Sequence, residues 1–148
     1  MKCEAFKELV FLTQTDTTIG FVSQSAERLT QIKSRPSHKH YIKAVDSLKT
    51  LQTFTRIPHR HRCLIRRAKK TTFILPDGNS YRVVHDPHHL LLLQRLKWAY
   101  TTSANRSGEP YCEAFAKTQA DVVVTPLKAN QTPSTIYKLG KETVQRIR

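Results

Sequence analysis

The stretch Trp98-Ala99-Tyr100-Thr101-Thr102-Ser103-Ala104-Asn105-Arg106-Ser107-Gly108 decides how this chain is read. Its first five residues are apolar or β-prone and predict a strand. The rest is a run of small polar residues, where α/β proteins place ligand-binding loops beyond strand ends. Residues two apart on extended backbone point the same way. Ser103 and Asn105 are therefore expected to project together, a hydroxyl beside an amide, suited to orienting phosphate oxygens or a substrate amine. An ordinary polar turn accounts for the same residues equally well.

Outward from this stretch, short apolar runs alternate with helix-like segments, the signature of an α/β fold. Leu9–Leu12 predicts a buried strand feeding the polar segment Thr13–Thr18. Ser25–Ile32 predicts a helix with Ser25 as cap, Tyr41–Val45 a strand, and Asp46 a cap for a helix over Ser47–Phe54. Thr72–Leu75 and Tyr81–Val84 flank Asp77-Gly78, a hairpin signal. Pro87 opens an apolar helix to Leu96, with proline at a permitted first-turn position. A short helix is expected over Tyr111–Lys117, a buried strand over Val122–Val124 and a further strand over Ser134–Tyr137. The expected fold is a mixed, twisted sheet with helices packed on it.

A chain of 148 residues has the size of one domain, so a single unit over 1–148 is expected. No run approaches the ~20 apolar residues of a membrane span. The apolar stretch near the N-terminus is too short for a signal peptide, which points to a cytoplasmic protein. Cys3, Cys63 and Cys112 form no CxxC pair, arguing against a disulfide framework and a structural zinc site; reduced, mostly buried thiols are expected. The seven histidines fall in separate segments without matching cysteine or carboxylate spacing, so no metal site is read from them. His38, beside a basic turn, is the one placed to touch a substrate. Leu90–Leu93, Trp98 and Tyr100 read as packing residues.

Charge is the informative bulk property. Twenty-five lysines and arginines against 11 acidic residues give +14, a field that favours anionic partners. It is uneven. No acidic residue lies between Asp46 and Asp77, while Arg56, Arg60, Arg62, Arg66, Arg67, Lys69 and Lys70 crowd together. A solvated basic face explains such a run as readily as a ligand does. A second basic pair, Lys33 and Arg35, precedes Pro36, which pushes Arg35 toward extended geometry. On extended backbone the two aim at one spot, a point charge beside a planar fork suited to carboxylate or phosphate. Two more polar clusters border apolar runs: Thr15-Asp16-Thr17-Thr18-Ile19-Gly20 and Pro133-Ser134-Thr135-Ile136. Either also reads as a turn.

Taken in order, these segments resemble the YrdC-like threonylcarbamoyl-AMP synthases. The chain matches TDTxxG (Thr15, Asp16, Thr17, Gly20), KxRP (Lys33, Arg35, Pro36), TSANxSG (Thr102–Asn105, Ser107, Gly108) and PSTI (Pro133–Ile136), with Arg148 downstream. The resemblance implies an open, twisted mixed sheet with flanking helices and a basic concave cleft. It implies an enzyme converting L-threonine, bicarbonate and ATP, with Mg²⁺ on the phosphates, into threonylcarbamoyl-AMP and pyrophosphate. That product feeds tRNA modification through downstream threonylcarbamoyl-transfer proteins. By the same resemblance, Lys33, Arg35, Ser103 and Asn105 form a catalytic tetrad around the ATP phosphates and the carbamate. Thr17 and Ser134 contact threonine, and Arg148 contacts nucleotide.

The chain also departs from the family pattern. The Gly20–Lys33 segment is shortened, and Lys39-His40-Tyr41 stands where Lys-Pro-Leu is usual. Ala68–Thr72 replaces a PGPxT stretch and keeps only Thr72, while Arg82 corresponds to a later family arginine. The alternative functions are a non-catalytic tRNA- or double-stranded-RNA-binding protein on the same basic surface, or a paralogue transferring another acyl or carbamoyl group. Against the RNA reading stands the lack of a clear series of exposed aromatics for base stacking.

Overall fold

The computed structural model describes residues 6–36, 40–127 and 134–148. Among the described residues nine strands form one sheet: β1 (Phe11–Gln14), β2 (Ile19–Ser23), β3 (Ile42–Val45), β4 (Thr71–Ile74), β5 (Ser80–Val83), β6 (Trp98–Ser103), β7 (Val122–Val123), β8 (Thr135–Leu139) and β9 (Val144–Arg146). The helices include α1 (Ala26–Lys33), α2 (Leu48–Gln52), α3 (Arg62–Arg67), α4 (Pro87–Leu96) and α5 (Glu113–Gln119), with a 3-10 turn at His59–His61 ahead of α3. The strand order is β7-β1-β2-β6-β3-β5-β4-β8-β9, an open row among the described residues. β1–β7, β3–β5 and β4–β8 run parallel and the other neighbours antiparallel, so the sheet is mixed as expected.

Alternation along the strands builds a core on each face. Phe11, Val22, Ala44, Val84 and Ala99 point to one side and pack with Leu93 and Leu96 of α4. Their chain neighbours point the other way into two clusters. Leu12, Phe21, Leu29 and Ile32 surround α1, while Val45, Leu51, Ile65, Phe73 and Val83 gather under α2 and α3. Between these two clusters the sheet face is only half covered, at Trp98, Tyr100 and Lys43. Among the described residues no helix is long and apolar enough to cross a membrane.

Local chemistry explains the helix ends. Ser25 caps α1, its Oγ accepting from the Arg28 N–H at 3.4 Å, and Ser34 closes it in left-handed backbone at φ 51°. Asp86 caps α4 ahead of Pro87.

Several expectations need correction. Ser47, not Asp46, caps α2; the Asp46 carboxylate instead accepts from the Ser47 and Thr50 hydroxyls. Val122 and Val123 are each 37% exposed rather than buried, because among the described residues β7 is an edge that pairs with β1 alone. Cys63 and Cys112 are exposed, so the reading of mostly buried thiols fails for both; Cys3 lies outside the described residues. Leu91 is 65% exposed although Leu93 is buried, since a helix of ten residues offers the core one stripe. Four elements were not anticipated: β2, which begins inside the polar Thr15–Gly20 segment; the 3-10 turn His59–His61 and α3, both hidden in the basic run; and β9. In α3 only Ile65 is buried, and Arg62, Arg66 and Arg67 face solvent.

Candidate active site

The site begins where β2 meets β6. Gly20 lies opposite Ser103 in the β2–β6 register. A Cβ at Gly20 would stand 2.8 Å from the Thr102 carbonyl oxygen, so glycine is what lets the two strands close. The Ala104 N–H donates to the Ile19 carbonyl at 3.0 Å, and this pins the turn after β6.

Against that turn lies the end of α1. Lys33 Nζ donates to the Ser103 carbonyl at 2.9 Å, to Ser103 Oγ at 3.4 Å and to Asn105 Oδ1 at 3.3 Å. Ser103 Oγ in turn donates to Asn105 Oδ1 at 2.5 Å. The Asn105 amide is locked by the Arg106 and Glu109 carbonyls, and the Ser107 N–H donates to the Lys33 carbonyl at 3.1 Å. An ammonium, a hydroxyl and an amide thus meet across some seventy residues of chain. Burial, and then the neighbouring Arg35 charge, pull Lys33 down to about 8.

Arg35 completes the group by a route other than the expected one. Lys33 is the last residue of the helix and Ser34 is left-handed, so no extended two-residue period relates Lys33 to Arg35. The tight reversal at Ser34 brings them together instead. The Arg35 guanidinium stacks over Tyr41, 4.6 Å from the ring centre, and donates to the His40 carbonyl. Its Nε is buried without a partner among the described residues.

A cavity of about 340 Å³ opens beside these groups, walled by Arg35, Ser103, Thr17, Arg82, Ser134 and Arg148 among others. No described acidic residue lines it. Its far wall is a network centred on Arg82, a residue that sequence reasoning aligned with a family arginine without giving it a role. Arg82 Nη1 donates to Asp16 Oδ1 at 3.1 Å and to Thr17 Oγ1 at 3.0 Å, while Nε and Nη2 donate to Thr72 Oγ1. Thr72 Oγ1 and Ser134 Oγ are 2.9 Å apart. Arg148 Nε donates to the Ser134 carbonyl at 3.0 Å and Arg148 Nη2 to Ser134 Oγ at 3.3 Å. One guanidinium therefore ties Thr17 to Ser134, residues far apart in sequence. Desolvation pulls Arg82 below its ordinary value, and the Asp16 carboxylate acts against that.

The signal for Arg82 was its place in β5. An arginine on a central strand is buried beside a partner or not at all, and its side chain is 6% exposed. His89 packs near this pair, 1% exposed, with neither ring nitrogen hydrogen-bonded among the described residues; burial pulls it down to about 4.

The basic run from Arg56 to Lys70 contributes no residue to this cavity; among the described residues its lysine and arginine cations are Arg35, Arg82 and Arg148, with Lys33 behind Ser103. His38 and Pro133 lie outside the described residues. Trp98 and Tyr100, read as packing residues, are half-buried and belong to a row of rings: Phe54–Trp98 at 5.7 Å, Trp98–Tyr100 at 5.3 Å and Tyr100–Tyr41 at 6.4 Å between centres. Among the described residues no group of three or more histidine, cysteine, aspartate or glutamate side chains is arranged to hold a metal ion.

Known proteins share this architecture. The chain superposes on the crystal structure of P. abyssi Sua5 complexed with L-threonine at a TM-score of 0.81, with 19% identity, over 99% of this chain and 52% of that one. It superposes on E. coli YciO at 0.77, with 19% identity, over 99% of this chain and 86% of that one. A Mycoplasma pneumoniae protein, "Uncharacterized protein MG259 homolog", is 30% identical over 149 residues, covering 95% of this chain and 32% of the relative. The chain thus spans about a third of that curated relative and about half of the Sua5 chain. The family model Sua5_yciO_yrdC, described as "Telomere recombination", matches residues 7–148. With nearly its whole described length inside that match, the chain belongs to the Sua5/YciO/YrdC family.

Proposed function

We propose that this chain is a single catalytic unit, an L-threonylcarbamoyladenylate synthase acting in the cytoplasm on L-threonine, bicarbonate and Mg-ATP. One observation carries the reading. A cavity without a described acidic residue gathers Arg35 and Ser103, with Lys33 and Asn105 at their backs, opposite Thr17, Ser134 and Arg148. Three anionic groups must meet for this chemistry: the threonine carboxylate, the carbamate on its nitrogen and the triphosphate. A carbamate oxygen attacks the α-phosphorus, the bond from that phosphorus to the β-phosphate's bridging oxygen breaks, and pyrophosphate leaves. The nucleophile belongs to a substrate. The protein therefore acts by positioning and by charge stabilisation.

In this reading Arg35 and Lys33 hold the phosphates, and Ser103 and Asn105 orient them. Thr17, fixed by Arg82, and Ser134 receive threonine, and Arg148 binds nucleotide. Mg²⁺ arrives on the ATP phosphates. Support comes also from family membership and from the threonine complex of the similarly folded Sua5. The product would pass to threonylcarbamoyl-transfer proteins that modify tRNA.

Mass spectrometry of purified protein incubated with threonine, bicarbonate and Mg-ATP tests the proposal. Threonylcarbamoyl-AMP is the expected product. No product, together with no joint thermal stabilisation by threonine and ATP, would reject it.

A second reading, a non-catalytic binder of tRNA or double-stranded RNA, is favoured by the solvent-facing arginines of α3, which lie away from the cavity. RNA affinity that falls steeply with salt and ignores threonine would support it.

A further inference from the structure

Beside the main cavity lies a second of about 200 Å³, on the half-covered sheet face between α1 and the β4–β5 hairpin. His40 and Tyr41 wall both cavities, so the two are neighbours across one partition. Thr30, Asn79, Ser80 and Lys43 supply polar lining, and no described acidic residue does.

Lys43 is the unusual member. It projects from β3 opposite Tyr100 of β6 and Tyr81 of β5. Its Nζ sits 4.1 Å from the ring centre of Phe54, 4.8 Å from Trp98 and 5.4 Å from Tyr100. Among the described residues it makes no ion pair and finds no hydrogen-bond acceptor. Rings attract an ammonium but accept few of its hydrogen bonds. The group is thus held in place while its donors stay unspent. Burial pulls it below the usual lysine value, with Asp77 acting weakly the other way, so an arriving anion would offset a cost the fold already bears.

We propose that this second cavity is an oxyanion subsite, in which the Lys43 ammonium receives the outer phosphoryl groups of a nucleotide held in the main cavity, or the pyrophosphate they become. The assignment rests on the nucleotide reading of the main cavity. A base-stacking role fits the geometry less well, because the faces of the three rings are turned to the ammonium and not left open to a planar ligand.

Titration calorimetry on the whole chain tests the subsite without requiring turnover. Pyrophosphate, AMP and a single-stranded RNA oligonucleotide are titrated separately into wild type, Lys43→Met and Lys43→Arg. Methionine keeps the apolar stem on the rings, and thermal melting reports whether each variant folds. Pyrophosphate affinity is expected to fall 10- to 100-fold in Lys43→Met and to recover in Lys43→Arg, with AMP affinity unchanged; one charge-assisted contact is worth about that much. Equal pyrophosphate affinity in wild type and Lys43→Met would overturn the proposal. So would wild type failing to bind pyrophosphate, an equal loss of AMP affinity, or a loss confined to RNA. Lys43-dependent pyrophosphate binding in a protein that forms no threonylcarbamoyl-AMP and gains no joint stabilisation from threonine and ATP would sink the synthase reading and leave the subsite standing. Turnover with Lys43-independent pyrophosphate binding would do the reverse.

Discussion

Lys33 and Arg35 are two residues apart, yet their environments divide their work. Lys33 donates to three oxygens, which fix its ammonium, while burial and then the Arg35 charge leave its proton held less tightly than in water. Arg35 is half-buried and steadied by Tyr41, with its Nε unpartnered among the described residues. If Lys33 must be charged to hold phosphate, ATP affinity should be constant below pH 7 and fall as pH rises through about 8. Lys33→Arg should move that limb upward or remove it, which calorimetry across pH 6.5–9.5 would show. Arg35→Ala should cost on the order of 100- to 1000-fold in threonine-dependent pyrophosphate release with the melting temperature little changed. An unchanged rate would remove Arg35 from the mechanism.

At the scale of elements, the contact between β2 and β6 sets the position of Ser103. Gly20 lies where a Cβ would press on the Thr102 carbonyl at 2.8 Å and on the Thr15 methyl at 3.1 Å, and backbone cannot yield as a flexible side chain does. Gly20→Ala should therefore destabilise the protein by ~1–3 kcal/mol and lower activity by more than the lost folded fraction accounts for. Denaturant melts read beside specific activity would separate the two effects. β2 itself escaped sequence reading. Its polar approach, Thr15–Thr18, advertises a turn, whereas Phe21 and Val22, which face opposite cores, are too short a run to announce a strand. The helix α3 escaped for a related reason, since its one buried residue, Ile65, gives no periodicity.

Across the whole molecule, Asp16 and Arg82 form an ion pair with side chains 5% and 6% exposed, joining the β1–β2 turn to β5. Removing one member leaves the other buried and uncompensated. Arg82→Gln should lower stability by ~3–5 kcal/mol, and Arg82→Gln with Asp16→Asn should recover part of that. His89 predicts the acid response. Its folded pKa of about 4 lies below the ordinary 6.5, so the unfolded chain binds the extra proton. Its contribution is complete above about pH 6.5 and drains away as pH falls toward 4, on the order of 3 kcal/mol in all. His89→Leu should flatten the melting-temperature profile across that window; an unchanged slope would exclude His89 as its source.

The sequence alone determined the α/β class, the cap at Ser25, the helix opened by Pro87, the hairpin around Asp77-Gly78 and the four motifs whose order marks the family. These rest on neighbours in the chain, on backbone preference and on spacing, which are local properties. Only the tertiary structure decided that Lys33 would meet Ser103 and Asn105, that Arg82 would tie Thr17 to Ser134, and that the basic run on α3 would face solvent away from the cavity. Those outcomes depend on strand order in the sheet, which brings β6 beside β2 and β8 beside β4. That order emerges from burying two faces at once, and no short window of residues contains it.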